Sequence, residues 1–177
     1  MKTVGILGGG QLGAMLAPAL QDLGADVAVY DPDPSAPALR RAARAESGSW
    51  RDVPRLQAFF DACDAVTWEF ENVETEGLAR VSGLGKLFPS IDVLRTTQNR
   101  ALEKEFLRDH GLPHVDFVDG KTAGELAAAA RAFGFPSILK TARGGYDGKG
   151  QWRLGSAADA DALLATPARE ALDAAGW

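Results

Sequence analysis

Between Lys140 and Gln151 the chain sets four glycines, Gly144, Gly145, Gly148 and Gly150, among two lysines, Lys140 and Lys149. Glycine backbone takes positive φ and approaches a ligand closely. A run of such residues can aim several N–H groups at one anion, and the two ammonium groups add charge of the matching sign. The combination suits a polyphosphate. It is not a Walker A loop, because no Gly-Lys-Ser/Thr opens a helix here. The same residues would also serve an ordinary charged hairpin.

A second pattern, Gly8-x-Gly10-x-x-Gly13, follows the apolar run Thr3–Leu7, and Asp31 falls about where a dinucleotide binder places its ribose ligand. Taken alone this suggests NAD and an NAD-dependent oxidoreductase, although glycines also serve simply to turn the chain and seat a helix. The Gln11 amide is placed to bond a substrate phosphate or hydroxyl, or else faces solvent. In Ala65–Val73, Val66, Trp68 and Phe70 alternate with Thr67, Glu69 and Glu71, so period 2 puts both carboxylates on one strand face. The carboxyl ends of parallel strands border the ligand crevice, which makes Glu69 and Glu71 candidates for a cationic or hydroxylated substrate. Otherwise they line a solvated edge. His110 and His114 flank a Gly-Leu-Pro turn and read as surface residues.

Arg143-Gly-Gly-Tyr-Asp-Gly-Lys-Gly-Gln151, preceded by Ile138-Leu139-Lys140, resembles the phosphate-covering loop of the ATP-grasp carboxylate–amine ligases, in the form found in purine biosynthesis. Glu69-x-Glu71-Asn72-Val73 and Arg95 with Thr97-Gln98 fit the same resemblance. It implies ATP held by Arg95, Lys140, Gly145, Tyr146, Asp147, Gly148, Lys149, Gly150 and Gln151. It implies a substrate site at Gly10, Gln11, Leu12, Glu69 and Glu71, and singles out no catalytic residue. The implied chemistry is ATP-driven carboxylation of 5-aminoimidazole ribonucleotide with bicarbonate, through carboxyphosphate, by a homodimer. Met1-Lys2-Thr3 leads straight into a strand-like run with no signal peptide, so a cytoplasmic protein is expected. The resemblance also implies magnesium. After Gln151 the acids are Asp159, Asp161, Glu170 and Asp173, all in helix-like, Ala-rich sequence. The resemblance places the magnesium ligands and much of the adenine pocket on strands beyond this point, so the chain reads as truncated within its ATP-grasp domain and inactive alone. A nucleotide-binding module without catalysis is the other reading.

The elements that must position these residues follow from the pattern. Thr3–Leu7, a helix with Leu12, Leu16, Leu20 and Leu23 ending at Gly24, and the strand Asp26–Tyr30 make a βαβ opening. A polar, Arg- and Ala-rich segment around Arg40–Glu46 comes next. A helix from Val53 with Pro54 in its first turn, the strand at Ala65, a helix over Glu74–Val81 and a last short strand at Lys86–Pro89 follow. These four strand signals alternating with helices predict a Rossmann-like, doubly wound parallel sheet over residues 1–95. Residues 96–177 are expected to begin an ATP-grasp α+β domain. A joining helix Thr96–His110 carries Leu102, Phe106 and Leu107, and Val115–Val118 opens the second unit. A capping box at Thr122-x-x-Glu125 starts a helix stopped by Gly134 and Pro136, and Ser156-x-x-Asp159 caps another beyond the glycine hairpin.

The 177 residues are 46% apolar and 24% charged, the balance of a folded core with a polar surface. A net charge of −5 argues against nucleic-acid or acidic-membrane binding. No apolar run approaches the ~20 residues of a membrane span. The single cysteine, Cys63, excludes an internal disulfide and a cysteine zinc cluster.

Overall fold

A computed structural model describes residues 1–145 and 149–165. The chain divides into two compact units, Met1–Arg95 and Thr96–Trp177, each taken by itself.

The first unit is built on a four-stranded parallel sheet of order β3-β2-β1-β4, from β1 (Thr3–Leu7), β2 (Asp26–Asp31), β3 (Arg44–Ser47) and β4 (Ala65–Trp68). Its central strands are near-continuous apolar runs because helices cover both faces. On one face Ile6, Val27 and Val29 pack against α1 (Gln11–Asp22). On the other Leu7, Tyr30 and Val66 meet Leu56, Phe59 and Phe60 of α2 (Val53–Asp61), with Cys63 buried among them. Asp52 caps α2 by accepting from the Arg55 N–H, and Pro54 lies in its first turn as expected. The doubly wound α/β architecture is the one the sequence predicts.

Three details differ. Of the α1 leucines, Leu16 and Leu20 pack half-buried against this core beside Gly13, Ala14 and Ala17, while Leu12 and Leu23 stay 62% and 84% exposed. The small residues sit where the helix lies so close that a Cβ on Gly13 would stand 2.7 Å from the Gly8 carbonyl oxygen. The polar Arg40–Glu46 segment, given no element from the sequence, enters edge strand β3, where one exposed side leaves the pattern polar. The expected last strand at Lys86–Pro89 is a single bridge, Val66 to Leu87, with the Phe88 N–H donating to the Val66 oxygen. Pro89 has no N–H with which to extend it. The short α3 (Thr75–Leu78) and α4 (Ile91–Thr97) follow.

In the second unit the expected joining helix starts later, as α5 (Arg100–Asp109), because Asn99 caps it by accepting from the Ala101 and Leu102 N–H groups. Residues 115–118 form no strand and Val115 and Val118 are exposed. The capping box at Thr122 and Glu125 is formed and starts α6 (Ala123–Phe133). β5 (Ser137–Lys140) and β6 (Gln151–Leu154) pair antiparallel, and Ser156 caps α7 (Ala157–Leu164) through the Asp159 N–H. Leu126, Leu154 and Ala160 are buried between these elements.

Candidate functional site

The first group of candidates gathers at the carboxyl end of β1. Gly8 takes φ 107°, which an L side chain rarely adopts, and Gly9 and Gly10 lead into α1. Their N–H groups are already engaged. Gly9 donates to Asp31 Oδ2 at 2.6 Å and Gly10 to Glu69 Oε1 at 3.2 Å. The glycines are small for the same reason: a Cβ on Gly8 would stand 2.7 Å from Glu69 Cγ, and one on Gly10 2.8 Å from Glu69 Oε1. Asp31 also accepts the Asp33 N–H at 2.8 Å, so both its oxygens serve the protein backbone. Burial pushes the Glu69 carboxyl above the usual glutamate range. The N–H groups of Gly10 and Gly13 pull it back, and the charges of Asp31 and Glu71 add to the rise.

The shared strand face expected for Glu69 and Glu71 is not formed, because β4 ends at Trp68. Glu69 turns over the glycine loop, whereas Glu71 accepts from the Asn72 side chain at 3.0 Å. Gln11 and Leu12, the first two residues of α1, are exposed beside the loop.

The second group lies on the β5–β6 hairpin. Lys140 ends β5 opposite Gln151 and is exposed, as is Lys149. Gly144 and Gly150 take φ 72° and 66°, so glycine is required at both for the backbone to turn. Tyr146, Asp147 and Gly148 lie outside the described residues. Arg95, in the last turn of α4, faces Asp92 at 3.5 Å. The guanidinium that the second unit brings to its own glycine loop is that of Arg100, which donates to the Thr141 oxygen at 3.0 Å and the Gly145 oxygen at 2.5 Å. Sequence reasoning passed over Arg100; its signal is the Asn99 cap, which fixes Arg100 as the first residue of a helix.

His110 stacks on Phe106 at the end of α5, and His114 bonds the Leu112 carbonyl, both at the surface. Burial raises the Cys63 thiol, which keeps it protonated. Among the described residues no three histidine, cysteine or acidic side chains come together to hold a metal ion. No helix among them is long and apolar enough to cross a membrane.

Comparison with known proteins places this geometry. The ribonucleotide synthetase pre-ATP-grasp domain family matches residues 1–98, and the ATP-grasp domain family matches residues 105–173. The N5-carboxyaminoimidazole ribonucleotide synthase of Pseudomonas aeruginosa is 42% identical over 164 residues, 92% of this chain and 45% of that protein. The crystal structure of an N5-carboxyaminoimidazole ribonucleotide synthetase in complex with ADP superposes with a TM-score of 0.85 at 38% identity, covering 99% of this chain and 45% of that one. The Aspergillus clavatus enzyme, solved with ADP and 5-aminoimidazole ribonucleotide, gives 0.77 at 34% identity over 92% and 43% of the two chains. The chain thus spans a little under half the length of these relatives. It belongs to the ribonucleotide synthetase pre-ATP-grasp family, and its kin there are the N5-carboxyaminoimidazole ribonucleotide synthases of the ATP-grasp ligases.

Proposed function

We propose that this chain carries the ribonucleotide-binding unit and the ATP phosphate loop of an enzyme that carboxylates 5-aminoimidazole ribonucleotide. In that reaction ATP phosphorylates bicarbonate to carboxyphosphate and ADP. The exocyclic amine then takes the carboxyl carbon, directly or as carbon dioxide released in place, and phosphate leaves. Phosphoryl transfer depends mainly on positioning and charge stabilisation. The observation that carries the proposal is the glycine hairpin, with Lys140 at a strand end, Lys149 on the returning arm and two positive-φ glycines between ordered strands. The hairpin residues Gly145 to Gln151 would surround the triphosphate together with Lys140, and Arg95 is assigned to it by resemblance. The amine substrate would lie at Gly10, Gln11, Leu12, Glu69 and Glu71. The carboxylates suit its donor groups, an amine or ribose hydroxyls.

The same reading makes the enzyme a magnesium-dependent, cytoplasmic homodimer, and the 177-residue chain inactive alone. An assay of ADP release, with a chain of the relatives' length and with this chain, tests it. ADP formation should require both aminoimidazole ribonucleotide and bicarbonate in the longer chain. Substrate-stimulated ADP release from the 177 residues would contradict the expected inactivity.

The glycine fingerprint is the feature that favours an NAD-dependent oxidoreductase instead. A dinucleotide would need the loop N–H groups for its pyrophosphate and Asp31 for a ribose. Gly9 and Gly10 donate to Asp31 and Glu69 instead, which disfavours that reading.

A further inference from the structure

We infer that Arg100 is a positioning residue that clamps the neck of the glycine hairpin and so sets the direction of the lysines flanking it. The inference rests on the reading of Gly144–Gly150 as a phosphate loop, and its basis is geometric. Arg100 opens α5, where N–H groups lack partners within the helix, and its own N–H donates to the Ala142 oxygen at 2.9 Å. Its guanidinium forks onto the Thr141 and Gly145 oxygens. One residue therefore fixes three carbonyls within five residues of the outgoing arm.

The returning arm is tied at the same level. The Gly150 oxygen accepts from the Thr141 N–H at 2.8 Å and from its hydroxyl at 3.4 Å, and Thr141 and Ala142 are buried. The neck leaves no room for larger residues. A Cβ on Gly145 would stand 2.7 Å from the Lys149 oxygen and 3.2 Å from Arg100 Nη2, and one on Gly150 2.6 Å from the Thr141 hydroxyl. These two glycines thus serve the packing of the clamp as well as the turn. Lys140 precedes Thr141 directly and Lys149 precedes Gly150, so each lysine is one residue from a clamped position. A guanidinium whose fork is engaged by protein carbonyls acts on a ligand through the backbone it holds.

Arg100→Lys separates this role from that of a simple cation, because an ammonium keeps the charge and loses the planar fork. The experiment measures amide exchange at Thr141 and ATP binding in a chain of the relatives' length, for wild type, Arg100→Lys and Arg100→Ala. The Leu126 amide, bonded to the Thr122 oxygen at 3.0 Å, reports on folding of the same unit. Arg100→Lys should speed Thr141 exchange roughly tenfold, leave Leu126 unchanged and lose most of the ATP affinity that Arg100→Ala loses. Wild-type Thr141 protection in Arg100→Lys would overturn the clamp. So would equal loss at Leu126, or retention of ATP affinity by Arg100→Lys alone, which would make Arg100 a charge for the ligand. If wild type takes up no ATP while Arg100→Lys still loses Thr141 protection, the clamp stands and the phosphate-loop reading fails.

Discussion

Asp31 and Glu69 both reach N–H groups at the start of α1, and Glu71 adds its charge to theirs. Burial is the largest cause of the raised Glu69 carboxyl, so folding favours its protonated form. Between the ordinary glutamate range and the raised value, the folded chain binds more protons than the unfolded one. Stability from this group therefore falls as pH rises through that window. Glu69→Gln keeps an acceptor for Gly10 without the charge, so its urea midpoint should exceed that of wild type at pH 7, with the difference shrinking by pH 4. A midpoint gain that is larger at pH 4 than at pH 7 would contradict this account. That Glu69 is a site candidate was legible from its strand-end position. That it covers the glycine loop was not, because the contact joins residues 59 apart in sequence. The opposite holds for Arg100, whose engagement depends on where a helix begins.

At the scale of elements, local chemistry written in a few adjacent residues was read well. The Thr122–Glu125 capping box, the Ser156 cap and the β5–β6 hairpin all stand where turn and cap signals put them. What was missed needed tertiary context. Half of the leucine pattern of α1, Leu16 and Leu20, packs against the core, while Gly13, Ala14 and Ala17 fill the closest approach to it. Edge strand β3 carries no apolar alternation to read. The start of α5 depends on one side chain, so Asn99→Ala should destabilise the second unit by about 1 kcal/mol. Chemical denaturation followed by a probe in that unit checks this, and an unchanged midpoint would show that the cap is dispensable. The loss would also propagate to the hairpin, since Asn99 fixes the helix start from which Arg100 reaches it.

For the whole molecule, the two units differ in how much core they hold. The first buries Tyr30, Phe59, Phe60, Ile6, Leu7 and Leu56 completely. Among the described residues of the second, the buried apolar side chains are Leu126, Ala142, Leu154 and Ala160. Amides of the second unit should accordingly exchange by opening at lower free energy than those of β1 and β2, and equal protection in both would contradict that ranking. The α/β class and the family were legible because the strand–helix alternation and the glycine hairpin are local patterns. The central claim is that the hairpin is an ATP site, and titration with ATP of a chain of the relatives' length tests it most directly, in wild type, Lys140→Ala and Lys149→Ala. Saturable binding is predicted, weakened about tenfold by Lys140→Ala, where a charge at an ordered strand end is lost. Lys149→Ala should cost less in binding, and its larger effect should fall on turnover in a chain of the relatives' length. ATP binding by Lys140→Ala equal to that of wild type, or saturable NAD binding where ATP does not bind, would contradict the assignment.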